Sequence, residues 1–372
     1  MIKNIIFDMG NVLVRFHPEE TVARLVQGED RNLLQKHVFA EEWKLLDRGT
    51  ISQEEAIQRV CARLPEHLKE PARYIIEHQI ETLTPIEESY RLVKELKAKG
   101  YGVYLLSNVS VQFHDFWKEI PALHLMDGKI ISADLKTVKP EKAIYNALFE
   151  TYRLNPEECF FVDDLPQNIE GGKQLLMDGY CFHGDVMALR RALSSQGVTV
   201  DLLEFVPVTE ESQITTLAEL AHEIWNQHFV PLIGQEQVNY MLEKFQSYSA
   251  MKEQLEHGGY QYYLSIYGKK PVGYTGVKPE PDRRKLFLSK LYLKKEYRGR
   301  GFARQAVEFL VSQCQKQGLN GIWLTVNRYN SNTIAAYDKM GFEKIREQVS
   351  DIGNGFVMDD YVMEKPVEIS SN

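Results

Sequence analysis

Four short stretches carry side chains able to do phosphorus chemistry. Asp8 closes the apolar run Ile5-Ile6-Phe7, Ser107-Asn108 closes Val103-Tyr104-Leu105-Leu106, and Asp163-Asp164 closes Cys159-Phe160-Phe161-Val162. Lys139-Pro140 lies between the last two. Displacement at phosphorus needs a nucleophile, a cation clamp and donors for the group in transit. A carboxylate such as Asp8 can attack to form an aspartyl phosphate. Asp163 and Asp164 beside it would repel it unless they hold a hard divalent cation such as Mg2+, which takes oxygen ligands. Lys139 would offset the remaining charge and position the nucleophile, and Ser107 and Asn108 would donate to phosphoryl oxygens. Each piece alone is ordinary: a loop-capping carboxylate, a helix N-cap, a solvated lysine, an acidic turn. A second stretch runs Leu291-Tyr292-Leu293, then Arg298-Gly299-Arg300-Gly301, then Phe302-Ala303. A strand, a glycine turn and a helix in line aim backbone N–H groups and a helix N-terminus at one spot, which suits a pyrophosphate. Arg298 and Arg300 add cations there.

The elements that position these residues follow from the pattern around them. Three apolar runs separated by helical spacing indicate a parallel sheet, and ligands of such sheets collect at the carboxyl ends of the strands. All the candidate residues of the first set sit at those ends or near them. The helical stretch 18–99 is too long for one crossover and reads as an inserted cap, about 15–90. Beyond about residue 207 the order changes. Helices are expected around 214–225 and 235–245, then strands at 262–266, 272–275 and 286–293. After the glycine turn come a helix, a strand at 322–326, another helix and a terminal strand near 361–363. This is an α+β order. The expected division is 1–205, 206–366 and a tail 367–372.

The first set, in this order, resembles the haloacid-dehalogenase (HAD) superfamily over about residues 1–200. Phe7-Asp8-Met9-Gly10-Asn11-Val12-Leu13 is similar to the branch with a small helical cap, which includes sugar-phosphate phosphatases of the glucose-1-phosphate kind. The resemblance implies an HAD-like Rossmannoid parallel sheet with a helical cap and Asp8 as nucleophile. It implies Mg2+ held by Asp8, the carbonyl of Gly10 and Asp164, supported by Asp163 and Asn168, with Ser107, Asn108 and Lys139 completing the site. One position departs from the family. Most of its phosphatases carry a second Asp two residues after the nucleophile, as general acid for the leaving alcohol; here it is Gly10. Losing a placed general acid costs about 10²–10⁴-fold, and less for a better leaving group such as the anomeric hydroxyl of a sugar 1-phosphate. A dehalogenase would survive that loss, but the Asp163-Asp164 pair would then go unexplained.

The second set continues with Trp323-Leu324-Thr325-Val326-Asn327, Asn330 and Tyr337-Asp338-Lys339-Met340-Gly341-Phe342. With Arg298-Gly299-Arg300-Gly301-Phe302-Ala303 matching R/Q-x-x-G-x-G/A, it resembles the GCN5-related N-acetyltransferase (GNAT) family over about 207–366. The resemblance implies acetyl-CoA, with its pantetheine arm along Leu291-Tyr292-Leu293 and its pyrophosphate on the turn from Arg298 to Ala303. Asn330 and Tyr337 match the later motif, with Tyr337 as proton donor to the departing thiolate. Details around Lys290 are similar to the branch that acetylates diamines and polyamines. Glu280, Asp282 or a chain of waters are the candidates for the base.

The whole chain therefore reads as a bifunctional enzyme, a Mg2+-dependent phosphatase of small phosphate esters fused to an acetyl-CoA-dependent N-acetyltransferase of a small primary amine. The alternative is an active transferase regulated by a non-catalytic phosphate-sensing domain. Composition fits either. The 372 residues carry 44 Lys and Arg against 52 Asp and Glu, a net charge of −8, which argues against nucleic acid or an anionic membrane as partner. Four widely spaced cysteines show no metal or redox spacing. With no apolar run of membrane length and no signal-peptide pattern, a cytoplasmic protein is expected.

Overall fold

A computed structural model of the chain describes residues 1–369, so part of the expected tail 367–372 lies outside the described residues. The chain divides into two compact units, Met1–Val200 and Asp201–Asn372.

In the first unit, β1 (Asn4–Phe7) leads through β2 (Val14–Phe16) into five helices, α1 (Pro18–Leu25), α2 (Asp30–Val38), α3 (Glu41–Arg48), α4 (Gln53–Cys61) and α5 (Glu66–Glu77). These pack round Val22, Leu34, Val38, Ile57, Leu68 and Ile75. The chain leaves through β3 (Leu83–Pro85), which pairs antiparallel with β2. The cap is thus a helical bundle whose entry and exit strands are stapled together, a detail the helical spacing of 18–99 did not reveal. Then follow α6 (Glu87–Ala98), β4 (Gly102–Ser107), α7 (Phe113–Phe116), β5 (Gly128–Ile131), α8 (Ser132–Leu135), α9 (Lys142–Tyr152), β6 (Cys159–Asp163), α10 (Pro166–Lys173), β7 (Asp178–Cys181) and α11 (Val186–Ser195). The sheet order is β5-β4-β1-β6-β7, all parallel.

The three apolar runs are the three central strands. Ile5, Ile6, Phe7, Phe161 and Val162 are wholly buried, as strands covered on both faces must be. The two edge strands are short, and β7 reads Asp-Gly-Tyr-Cys, so no apolar run announces it.

The second unit begins with β8 (Glu204–Pro207), which pairs with β9 (Gln261–Tyr267). The expected boundary at 205/206 therefore falls inside a strand that belongs to the second sheet. Between them lie α12 (Glu211–His228), α13 (Val230–Ile233), α14 (Gln235–Phe245) and α15 (Tyr248–Glu256). Next come β10 (Lys270–Glu280), β11 (Lys285–Leu293), α16 (Phe302–Gln317), β12 (Gly321–Asn327), α17 (Ser331–Asp338), β13 (Glu343–Gly353) and β14 (Phe356–Pro366). The sheet order is β13-β14-β12-β11-β10-β9-β8.

One face of this sheet packs on α16 through Leu286, Leu288, Ile322, Leu324 and Met363. The other packs on α12 and α14 through Tyr262, Leu264, Tyr274 and, partly, Tyr292 and Met358. β11 and β12 are parallel neighbours, but they pair only over Lys285–Phe287 and Gly321–Trp323. Beyond that the two strands part. Ser289 drops out of the β10–β11 register, where Gly276 faces Lys290 and Val277 faces Leu288. Such a bulge bends a strand and turns its following side chains to the opposite face.

Candidate functional sites

In the first unit the expected residues meet at the carboxyl ends of β1, β4 and β6. Carboxylate oxygens of Asp8, Asp163 and Asp164 lie within 4.8 Å of one another. Lys139 Nζ sits 2.8 Å from Asp8 and 2.6 Å from Asp163. Its side chain is only 1% exposed. Burial alone would lower the Lys139 pKa, but Asp8 and Asp163 outweigh it and hold the ammonium charged. Asp8 is pushed up to about 7, first by burial and then by Asp163, against the pull of Lys139. Asp164 is also raised, by burial and by Asp163. Three carboxylates and one ammonium leave two negative charges on oxygen ligands. That donor set fits a divalent hard cation such as Mg2+.

The supporting residues are placed by short-range geometry. Asp163 accepts from both Asn168 Nδ2, at 3.0 and 3.1 Å, and the Leu165 N–H at 2.9 Å. Its orientation is therefore fixed from three sides with Lys139. Gly10 forms an isolated bridge to Val14 in the loop after β1. A Cβ built there meets nothing within 4 Å, so the space for a longer side chain is open. Ser107 is buried at the end of β4.

Asn108 departs from expectation. Its Nδ2 donates to the Lys139 carbonyl at 3.1 Å, and its Oδ1 accepts from the Lys139 N–H at 2.8 Å. The amide clamps the backbone that carries Lys139, so the side chain acts as a brace, with the second N–H of Nδ2 left for a phosphoryl oxygen. The reason is proximity: the loop after β5 folds back over the end of β4.

Two residues that sequence reasoning missed also reach this site. Asn11, at a left-handed φ of 54° that asparagine tolerates, donates to Asp164 Oδ2 at 2.9 Å and accepts from the Phe16 N–H. Its place three residues after the strand-end aspartate was the available signal. Asp47 comes from the cap, at the end of α3. Burial and the charge of Asp8 hold its carboxyl well above the usual range, against a hydrogen bond from the Ser110 N–H. Three contacts anchor that end of α3. The Asp47 carbonyl accepts from Ser132 Oγ, Arg48 pairs with Glu141 at 2.5 Å, and Gly49 lies so close that a Cβ would sit 2.2 Å from the Ala133 carbonyl. Nothing in the sequence links position 47 to position 8.

In the second unit the turn has the expected backbone. Gly299 and Gly301 have φ of 76° and 78°, values that favour glycine. Their Cβ positions open on empty space, and Gly301 stands at the N-terminus of the 16-residue α16. The side chains of the set divide. Arg298 lines a cleft of about 360 Å³ together with Asn330, Lys295, Gln227, His228 and Leu232. Its Nε donates to the Leu293 carbonyl at 3.0 Å.

Arg300, expected to add charge for a pyrophosphate, is paired instead within the unit. Its guanidinium pairs with Asp201 at 2.5 and 2.9 Å, donates to Tyr267 Oη and lies 4.4 Å over the Tyr267 ring. A planar fork matched by a carboxylate and a ring is held in place, so Arg300 braces the turn. Leu293 and Phe302 are core side chains, and Leu291 and Ala303 are partly buried, so these four offer a ligand mainly their backbone. Leu291 and Leu293 lie where β11 has left β12, beyond the last β11–β12 pair, Phe287 with Trp323. An extended amide-bearing arm fits such an edge.

Tyr337 is buried in the core beside Phe342, with ring centroids 5.2 Å apart. Burial raises its hydroxyl pKa, so it stays protonated at neutral pH. Glu280 lies at the closed end of the β11–β12 pair. It accepts from Trp323 Nε1 at 2.9 Å and from Arg283 at 3.1 Å.

Comparison with known proteins agrees with this division. Residues 2–175 match the haloacid dehalogenase-like hydrolase family, and residues 218–342 match the acetyltransferase (GNAT) family. Over 178 residues the chain is 26% identical to a sesquiterpene phosphatase of Aspergillus oryzae, covering 48% of this chain and 88% of that one. It is 27% identical over 193 residues to a D-ribitol-5-phosphate phosphatase of Bacteroides thetaiotaomicron, covering 47% and 89%. It is 28% identical over 127 residues to N-acetyltransferase 8 of Rattus norvegicus, covering 32% and 57%. Among the described residues no helix is long and apolar enough to cross a membrane. The chain therefore carries two domains of enzyme families, a HAD-like hydrolase domain over residues 2–175 and a C-terminal GNAT acetyltransferase domain over residues 218–342.

Proposed function

We propose that the first domain hydrolyses small phosphate esters, a sugar phosphate by preference, with Asp8 as nucleophile. The observation that carries this reading is Lys139 Nζ held between Asp8 and Asp163, with Asp164 closing a carboxylate group within 4.8 Å. Asp8, Asp164 and the Gly10 carbonyl would hold Mg2+, which would supply the positive charge that keeps Asp8 ionised and offsets the phosphoryl oxygens. Asp8 then attacks phosphorus, the ester P–O bond breaks, and water later cleaves the aspartyl phosphate. Lys139 keeps the nucleophile oriented, Asn108 fixes Lys139, and Asp163 with Asn168 fixes both. Burial and the charge of Asp8 raise the Asp47 carboxyl, and a proton held there would supply to the leaving oxygen what position 10 lacks. The relatives, named for a sesquiterpene and a ribitol phosphate, support a phosphate ester without choosing its alcohol.

The second domain, in the same proposal, transfers an acetyl group from acetyl-CoA to a small primary amine. Its support is the parting of β11 from β12 beside the open glycine turn. The thioester of acetyl-CoA supplies the acyl group. The backbone of 291–293 and of the turn binds it, and Tyr337 donates a proton toward the departing sulfur.

Gly10 favours a second reading, in which the first domain senses a phosphate ligand and turns nothing over. Incubation with Mg2+ and a broad panel of phosphorylated metabolites decides between them. Phosphate release that Asp8→Asn abolishes supports hydrolysis; no release from any compound refutes it.

A further inference from the structure

The transferase needs a group to take a proton from the incoming ammonium, and the structure offers one that the sequence did not single out. Asp360 on β14 stands opposite Asn327 at the end of β12. Side chains alternate along a strand. Ile322, Leu324, Val326 and Met363 face α16, so Thr325, Asn327 and Asp360 face the other way. That is the side of Met358, Tyr292 and Trp225 of α12. Asp360 is 5% exposed, and its Oδ1 is buried with no hydrogen-bond partner among the described residues. An orphan carboxylate oxygen costs free energy unless a ligand satisfies it. Burial first, and then the proximity of Tyr337 and of Asp360, raises the hydroxyl of Tyr292, on the strand that parts from β12. Aromatic rings of Trp225 and Phe229 lie 5.8 and 6.0 Å from the Tyr292 ring. A carboxylate beside aromatic faces is a site for an alkylammonium ion.

We propose that Asp360 is the catalytic base of the transferase: its carboxylate binds the ammonium of the acceptor on the α12 face of the sheet and removes one proton from it. The proposal rests on the N-acetyltransferase reading above and deepens it. The neutral nitrogen attacks the thioester carbonyl, the C–N bond forms and the C–S bond breaks. The second nitrogen proton balances the proton that Tyr337 gives to sulfur, and Asp360 returns its proton to water. The product is an acetamide, free thiol and one released proton. Burial, with the neighbouring Asp359, lifts the Asp360 carboxyl to about 6, against a hydrogen bond from Thr325. It is then ionised at neutral pH yet basic enough to work. The titratable groups around it are Asp359 on its own strand, paired with Arg328, and Tyr292 on β11. Gln348 faces it from β13.

The test uses the full chain, acetyl-CoA and a panel of primary alkylamines, diamines and amino sugars. In Asp360→Asn, kcat/KM for the best amine should fall about 10²-fold or more at pH 7. The acid limb of the wild-type profile, near pH 6, should vanish. Calorimetry should show acetyl-CoA binding unchanged, while the amine binds the CoA-loaded variant more weakly by about 30-fold or more. Asp360→Glu should keep part of the turnover, and Asp359→Asn should shift the acid limb downward. Undiminished kcat/KM in Asp360→Asn would overturn the proposal, as would loss of acetyl-CoA binding in parallel with turnover in both Asp360 variants. A wild-type protein that acetylates no amine overturns the transferase reading and the proposal with it.

Discussion

Lys139→Met tests the electrostatics of the hydrolase site without needing a substrate. The methionine keeps the volume of the side chain and removes its charge. Lys139 Nζ is 2.8 Å from Asp8 and 2.6 Å from Asp163, and the side chains are 1%, 11% and 0% exposed. Removing one partner from a buried ion pair costs about 3–5 kcal/mol, because the other charge is left without compensation. At 1.36 kcal/mol per decade, exchange of the amides of β1 and β6 should speed up about 10²–10⁴-fold where it proceeds by unfolding of that core.

The measurement is hydrogen exchange by mass spectrometry on the whole chain in EDTA. The sign of its pH dependence is fixed. Folded Asp8 holds its proton to about 7, above its ordinary value of 3.8. Between those values the folded state binds more protons than the unfolded one, so stability falls as pH rises. Without Lys139 the carboxyl rises further, and the deficit of the variant should be larger at pH 8 than at pH 5. Mg2+ at about 100 times its Kd should restore roughly 2.7 kcal/mol, since a bound cation replaces the missing one. Exchange of both strands within about threefold of wild type at pH 8 in EDTA would show that the ammonium does not hold these carboxylates.

Two further predictions concern proton donors. Asp47→Asn should lower turnover of alkyl phosphates far more than that of aryl phosphates, whose leaving group needs no proton. Adding Gly10→Asp, where a Cβ has open space, should recover part of the expected loss of about 10²–10⁴-fold; equal effects on both substrate types would remove Asp47 from the chemistry. Tyr337→Phe should lower kcat for acetyl transfer with little change in acetyl-CoA affinity by calorimetry, and unchanged kcat would leave Tyr337 as core packing beside Phe342.

The first site was legible because its residues close apolar runs. Ile5-Ile6-Phe7 and Cys159-Phe160-Phe161-Val162 read as buried parallel strands, and the structure pairs them side by side, which brings their carboxyl-end residues Asp8 and Asp163 together. The glycine turn was legible for a similar local reason, since Gly299 and Gly301 adopt a backbone that other residues resist. Polar β7 and the entry strands of the cap gave no periodic signal, because short strands on an edge bury little.

What only the tertiary structure decided are the partners of charged and polar side chains. Arg300 looks in sequence like a ligand cation and is instead engaged by Asp201, 99 positions away. Asn108 is drawn onto the backbone of Lys139. Asp47 and Asp360 are anonymous acids in the sequence, raised above their usual pKa by burial that neighbouring elements create. Apolar periodicity is a property of consecutive residues and survives in the sequence. The desolvation and pairing of a charge depend on whichever remote side chains fold against it, and nothing local encodes them.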